Sequence, residues 1–265
     1  MTSSGTALRL LFALTLAPFV QAQNPTEIIQ QMVVHEDDAA RHKQHFAYTA
    51  TERSERTGNH LWKERVAETS DGKVRFLLEE DGAPLSAGRV GQERGRLAAI
   101  AANPADFIAA EHAKKNDEDK AKAMLDLLPK AFLLDNLRRE GDMTMIDFRP
   151  DPAYQTQSME EKVLHGMSGT VAIDNSERLH TIKASMPKDI SVGFGLASVH
   201  AGSSFATTRD QVVPGQWKTV FVDTAINGKA LLFKSLGKNE HVERSDFKLL
   251  PFEMSVKDAV ALVEQ

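Results

Sequence analysis

Apolar and polar residues alternate over much of this chain, which is typical of β-strands with one buried face. The first clear alternation begins at Phe46 and continues through Tyr48 and Ala50. Asp71-Gly72 and Asp81-Gly82 end later alternating runs, and Asp-Gly between such runs favours a tight hairpin. The region from residue 46 to residue 82 is therefore predicted to be a three-strand meander.

Alternation returns near residue 131 and dominates the chain from Gly169 to Leu250. Strands joined in sequence by short turns build an antiparallel sheet. About ten strands are predicted, and one twisted sheet of that width tends to curl. We therefore predict an α+β fold: a strongly curved antiparallel sheet, or unclosed β-barrel, with helices covering its concave side.

Helical patterns occupy the two ends and the middle of the chain. Asn24 is a suitable N-cap, Pro25 suits the first helical position, and the apolar stripe that follows predicts a helix to about Arg41. Residues 86–130 are rich in Ala, Glu, Lys and Leu and predict a helical insertion. The residues from Ser255 onward predict a short closing helix.

Residues 1–22 have the pattern of a cleavable signal peptide. Arg9 is followed by a short apolar stretch over 10–17, and Val20-Gln21-Ala22 offers the small-x-small pattern of a cleavage site. The expected mature chain, 23–265, is predicted to be a single half-barrel domain that contains the helical insertion. It is predicted to have no transmembrane segment.

Composition narrows the compartment and the chemistry. The chain has no cysteine, which excludes disulfides, thiolate catalysis, cysteine-bound metals and lipid attachment at a cysteine. Its formal net charge of −5 disfavours nucleic-acid binding. Export without disulfides favours a soluble protein of the bacterial periplasm, with secretion as the alternative.

No catalytic motif is evident. A nucleophile elbow, a phosphate-binding loop and a dinucleotide fingerprint are all absent from the sequence. His35, Asp38 and His42 share one face of the first helix and form the best metal candidate, although solvated polar residues beside an apolar stripe are the simpler interpretation. We expect no catalytic residue, no metal site and no cofactor.

Aromatic residues are concentrated on the predicted strands, where alternation directs many of them to one face of the sheet. A curved sheet lined in this way either packs solidly against its helices or leaves an apolar hollow. The candidates for lining such a hollow are Phe46, Tyr48, Trp62, Phe76, Phe148, Phe205, Trp217, Phe221 and Phe233.

The order of these elements resembles the LolA/LolB-like superfamily of bacterial envelope proteins. That superfamily includes periplasmic lipoprotein carriers and the lipoprotein-sensing domain of RseB-type regulators. The resemblance is to the outer-membrane lipoprotein-sorting-like branch and covers about residues 24–250. The segments that carry it are 166–174, 179–182, 202–205, 216–217, 228–233 and 245–247.

This resemblance implies an unclosed barrel whose apolar hollow accepts acyl chains, without a cofactor or covalent catalysis. The leading hypothesis is a non-enzymatic periplasmic protein that binds a lipid or lipoprotein acyl chain, gated by the first helix or the inserted block. One alternative is an interaction or sensor module with a solid core that contacts another envelope protein through loops such as 149–160. The other is a metal-dependent enzyme at His35, Asp38 and His42.

Overall fold

The computed structural model describes residues 24–113, 116–192, 197–229 and 239–265. The signal peptide predicted over 1–22 and the lining candidate Phe233 lie outside these residues.

The main sheet is antiparallel, contains eleven strands and is not closed. Its strand order is β4-β3-β2-β1-β14-β12-β11-β8-β7-β6-β5, and β13, β10 and β9 form a separate small sheet. The predicted fold class, an unclosed antiparallel half-barrel with helices, is confirmed. The strands are β1 (Phe46–Arg53), β2 (Trp62–Thr69), β3 (Gly72–Glu80), β4 (Ala83–Pro84), β5 (Phe132–Glu140), β6 (Met143–Pro150), β7 (Ser168–Ile173), β8 (Leu179–Ser185), β9 (Ile190–Val192), β10 (Ala197–Val199), β11 (Ser204–Val213), β12 (Gln216–Ala225), β13 (Gly228–Lys229) and β14 (Asn239–Leu249).

Six helices occur in the described part of the chain. The side chain of Asn24 accepts a hydrogen bond from the Thr26 amide at 3.0 Å, so the first helix begins as the sequence predicts. The helical block predicted over 86–130 consists of the second, third and fourth helices. The helices are α1 (Pro25–Arg41), α2 (Ala87–Ala102), α3 (Ala105–Ala113), α4 (Asn116–Ala131), α5 (Met159–His165) and α6 (Val256–Val263).

Strand register defines the two faces of the sheet. Residues directly opposite one another on paired strands lie on the same face. We call the face that carries Ile146 the inner face and the other the outer face. One row of the inner face runs across seven strands through Glu52, Val242, Val222, Thr207, Ile182, Val171 and Ile146.

Helices cover both faces of the sheet, at opposite ends. On the inner face, Ile29 and Met32 of α1 and Leu128 of α4 pack against β6, β7 and β8. On the outer face, α2 and α6 cover Val74 and Phe76 of β3. The outer face of β2 and β3 carries apolar side chains, which is why it too needs a helical cover.

The sheet curls toward its inner face. Lys218 of β12 lies 2.7 Å from Glu68 of β2, although β14 and β1 separate these strands in the sheet. A flat sheet would place β12 and β2 roughly 14 Å apart, at three strand spacings. Val212 and Val213 of β11 likewise pack against the cluster around Phe46.

Two local features differ from the sequence predictions. Asn227-Gly228 has the sequence of a type I′ hairpin turn, but the hairpin that it predicts is wrong, because β13 pairs with β10 and not with β12. A Cβ atom on Gly228 would lie 2.2 Å from the carbonyl oxygen of Ser198, so a glycine is needed for this close approach. Helix α5 is an addition to the predicted elements, although Ser158, which caps it through the Glu161 amide, begins a capping-box pattern.

The face assignment predicts different costs for two neighbouring substitutions on β6. Ile146 is fully buried in the inner-face core, whereas the next residue back, Met145, lies half-buried on the outer face. Ile146→Ala should lower the free energy of unfolding by about 2–5 kcal/mol, and Met145→Ala by less than half as much. Denaturant unfolding measures both, and equal losses would contradict the assignment.

Candidate ligand cavity and buried ion pairs

A small apolar cavity lies between the inner face of the sheet and helices α4 and α5. Its volume is about 30 Å³, which is room for only one or two water-sized groups. Every side chain that lines it is apolar. The lining residues are Leu127, Leu128, Phe132, Phe148, Leu164, Met167, Ile182, Ala184 and Phe205.

Local structure explains how this lining is assembled. Phe148, Ala184 and Phe205 lie on β6, β8 and β11, where alternation sends them to the inner face. Leu128 of α4 and Leu164 of α5 close the cavity from the opposite side. The helices therefore form the cover, and the sheet forms the floor.

Two of the predicted lining candidates reach this cavity, namely Phe148 and Phe205. Phe46 and Tyr48 lie on the inner face but in a separate cluster with Val66, under the tip of the β11–β12 hairpin. Phe76 is on the outer face, in the core beneath α2 and α6.

The remaining described candidates lie elsewhere. The Trp62 indole donates a hydrogen bond to Glu80 at 3.0 Å and stacks against the Arg56 guanidinium. Phe221 makes an edge contact with His241, and Trp217 lies partly buried at the start of β12. The helical lining residues Leu127, Leu128 and Leu164 are not among the predicted candidates, because those candidates are all aromatics on strands.

A buried cluster of ion pairs occupies the other end of the inner face. Glu52 and Glu64 are both buried, and the Arg56 guanidinium bridges them at 2.7 and 2.5 Å. Arg75 of β3 adds a second contact to Glu64 at 3.4 Å. Buried carboxylates persist only when they are paired and hydrogen-bonded, and here both conditions are met.

Hydrogen bonding sets the charge state of this cluster. Burial alone would raise the pKa of Glu52, but hydrogen bonds from Arg56 and Ser54 outweigh it and hold that pKa below 4.5. Burial alone would lower the pKa of Arg56, but its bonds to the two glutamates raise it above the ordinary value. Burial raises the pKa of Tyr48, which lies beside the cluster, so its phenol stays neutral.

The tip of the β11–β12 hairpin makes two further buried ion pairs. Arg209 pairs with Glu36 of α1, and Lys218 pairs with Glu68 while donating to the Gln44 carbonyl at 3.0 Å. Burial lowers the pKa of Arg209 to about 10, which still leaves it charged at neutral pH. Burial also lowers the pKa of Lys218, and this effect outweighs the nearby Glu68 carboxylate, which raises that pKa. The hairpin tip therefore fastens α1 and the start of β1 to the sheet.

The proposed metal triad is not assembled on α1. His42 and Asp38 lie together, with His42 Nδ1 3.6 Å from Asp38 Oδ1, but His35 turns toward Glu177 at 3.6 Å. Within the described ranges, no three His, Asp or Glu side chains are grouped as metal ligands. No described helix is both long enough and apolar enough to cross a bilayer.

Comparisons with known proteins add one structural likeness. No family model matches the sequence, and no curated protein matches it. Among solved structures, the chain is similar to a crystal structure described as an outer membrane lipoprotein-sorting protein domain from Vibrio parahaemolyticus. The TM-score is 0.35 and the identity 7%, over 89% of this chain and 100% of that one.

The buried ion pairs predict a specific sensitivity to acid. The pKa of Glu52 is lower in the folded chain than its ordinary value of 4.5, so its contribution to stability is present above pH 4.5 and is lost as the pH falls through the folded pKa. Glu52→Gln should therefore be less stable than the parent at pH 7 and lose less stability on acidification. Urea unfolding between pH 7 and pH 3 measures both effects.

Glu55→Gln is the matched control, because Glu55 is exposed in the adjoining turn. Its unfolding profile should follow that of the parent. A Glu52→Gln profile parallel to the parent's at every pH would contradict the assignment of this acid sensitivity to Glu52.

Proposed function

We propose that this chain is a non-enzymatic periplasmic protein that binds a lipid or lipoprotein acyl chain. The observation that carries the proposal is the wholly apolar cavity between the sheet and the cover formed by α4 and α5. Such a site needs no polar motif, since each buried methylene contributes about 0.8 kcal/mol. The resemblance of the sequence to lipoprotein-sorting-like proteins points in the same direction.

An acyl chain requires the cover to move, because a cavity of about 30 Å³ cannot hold it. Burial of ten methylenes would contribute about 8 kcal/mol toward this opening. Of the two gates that the sequence suggests, the inserted block is the better supported. The buried ties of α1 to the sheet, such as the Glu36–Arg209 pair, resist its movement.

Besides its apolar packing, α4 contacts α1 through an ion pair that is weaker than the buried pairs of α1. Lys122 of α4 pairs with Asp37 of α1 at 3.0 Å, and the lysine side chain is half exposed. Exposed ion pairs contribute at most about 1 kcal/mol. We therefore assign the lid to α4, with the sheet and α1 as the fixed wall.

A second function is favoured by the small size of the cavity. A nearly filled interior suits an interaction or sensor module that contacts another envelope protein with its surface. The loop around residues 149–160 would offer such a surface. It is ordered by a turn from Asp151 to Tyr154 and by the contact of the Tyr154 ring with His165.

Cross-linking α4 to α1 tests the lid directly. The chain has no native cysteine, so Asp37→Cys combined with Lys122→Cys can be joined selectively with a short bis-maleimide. The cross-linked protein should bind a fluorescent fatty acid at least ten-fold more weakly than the same variant before cross-linking. Fluorescence titration measures the difference.

The control pair is Lys63→Cys with Glu79→Cys, an ion pair of 2.8 Å between β2 and β3, away from the cavity. Cross-linking it should leave binding unchanged. If the protein cross-linked between positions 37 and 122 binds the fatty acid as well as before cross-linking, α4 is not the lid. If the parent chain binds no acyl probe and its organic extract contains no lipid, the acyl-binding proposal fails and the interaction module is favoured.

A further inference from the structure

The outer face of β6, β7 and β8 carries a second, separate cleft of about 220 Å³. It lies across the sheet from the apolar cavity, because its residues alternate with those of the inner-face core. Met143, Met145 and Ala172 supply its apolar surface, and His180, Thr181 and Lys183 lie along β8. This cleft is more open to solvent than the apolar cavity and has a polar side.

A β-bulge places His180 in this cleft. Ala172 is opposite Thr181, but the next residue, Ile173, is opposite Leu179, so His180 is the extra residue on β8. Strict alternation from the inner-face residue Ile182 would turn His180 toward the core. The bulge turns it to the outer face instead, beside Thr181, and bulges commonly re-aim side chains at functional sites.

The imidazole of His180 lies beside Asp210 but makes no hydrogen bond through Nδ1. Its Nδ1 atom is buried, has no hydrogen-bond partner in the described part of the chain, and lies 3.6 Å from Asp210 Oδ1. That distance is beyond a hydrogen bond, so the carboxylate orients the ring without satisfying it. With Nδ1 facing Asp210, Nε2 is the ring nitrogen left to meet a ligand.

Lys183 gives the cleft a positive charge. Its side chain is exposed, and no acidic side chain of the described residues lies within ion-pair distance of it. Glu140, at the other end of the cleft, is already paired with Arg138 at 2.9 Å. The Thr170 hydroxyl donates to Asp147 at 2.7 Å and is likewise occupied.

We propose that this outer-face cleft binds a small carboxylate with an apolar tail. The Lys183 ammonium and the Thr181 hydroxyl would donate to the carboxylate. As an imidazolium with its Nδ1–H toward Asp210, His180 would add a third donor at Nε2. The tail would lie on Met143, Met145 and Ala172. The volume suits about seven water-sized groups, which is the size of a short-chain acid such as valerate. The site is independent of the acyl-binding function proposed for the inner face.

Nuclear magnetic resonance titration of the isotope-labelled chain with valerate tests the proposal. Shifts are expected at the backbone amides of residues 143–145, 170–172 and 180–183, with a dissociation constant of about 1–10 mM. Pentan-1-ol, which has the tail but no charge, should bind at least ten-fold more weakly. Lys183→Met and His180→Phe should each weaken valerate binding by about ten-fold.

Lys188→Met is the control, because it removes an exposed lysine from a turn outside the cleft. It should leave the valerate titration unchanged. The proposal is overturned if valerate causes no shifts at these amides, if pentan-1-ol binds equally well, or if Lys183→Met binds valerate as the parent does. The valerate result is independent of the fatty-acid test, because Asp37 and Lys122 lie outside the cleft.

Discussion

The width of the open sheet is the constraint on which the rest of this structure depends. Eleven strands that do not close leave two faces to be buried, and no single layer of helices covers both. Two separate helical layers supply the cover, with α1 and α4 on the inner face at one end and α2 and α6 on the outer face at the other. At each end helices therefore cover one face, and the two candidate sites lie on opposite sides of β6 and β8.

Where helices do not cover the inner face, buried ion pairs fill the space and stabilise it. The Glu52–Arg56–Glu64 cluster and the two pairs of the β11–β12 hairpin tip fill the curled end of the sheet with matched charges. Breaking such a pair leaves an uncompensated buried charge, which costs far more than an exposed pair contributes. This difference is the reason why the proposed lid is α4 and not α1.

Features that depend on neighbouring residues could be predicted from the sequence. The α1 helix follows from Asn24 and Pro25, and the β2–β3 hairpin follows from Asp71-Gly72. Features that depend on distant residues could not be predicted from the sequence. The residues next to Phe76, for example, do not show whether its side chain lies beneath a helix on the outer face or in a hollow on the inner face. Phe148 and Phe205, which line the cavity, were among the candidates that the sequence suggested. Leu164 was not, because its sequence pattern is the same as that of any buried leucine in a helix.

The position of β1 has a consequence for how the chain folds. This first strand pairs with β14, the last one described, and both lie in the middle of the sheet. Strands on either side of the β1–β14 pair can pair as soon as they are made. The β1–β14 pairing itself must wait until β14 has been synthesised. Contacts between distant parts of a sequence form slowly. The half-barrel therefore takes its curved shape only after β14 has been synthesised. Until then, the unpaired edges of β1 and β12 need protection from other chains.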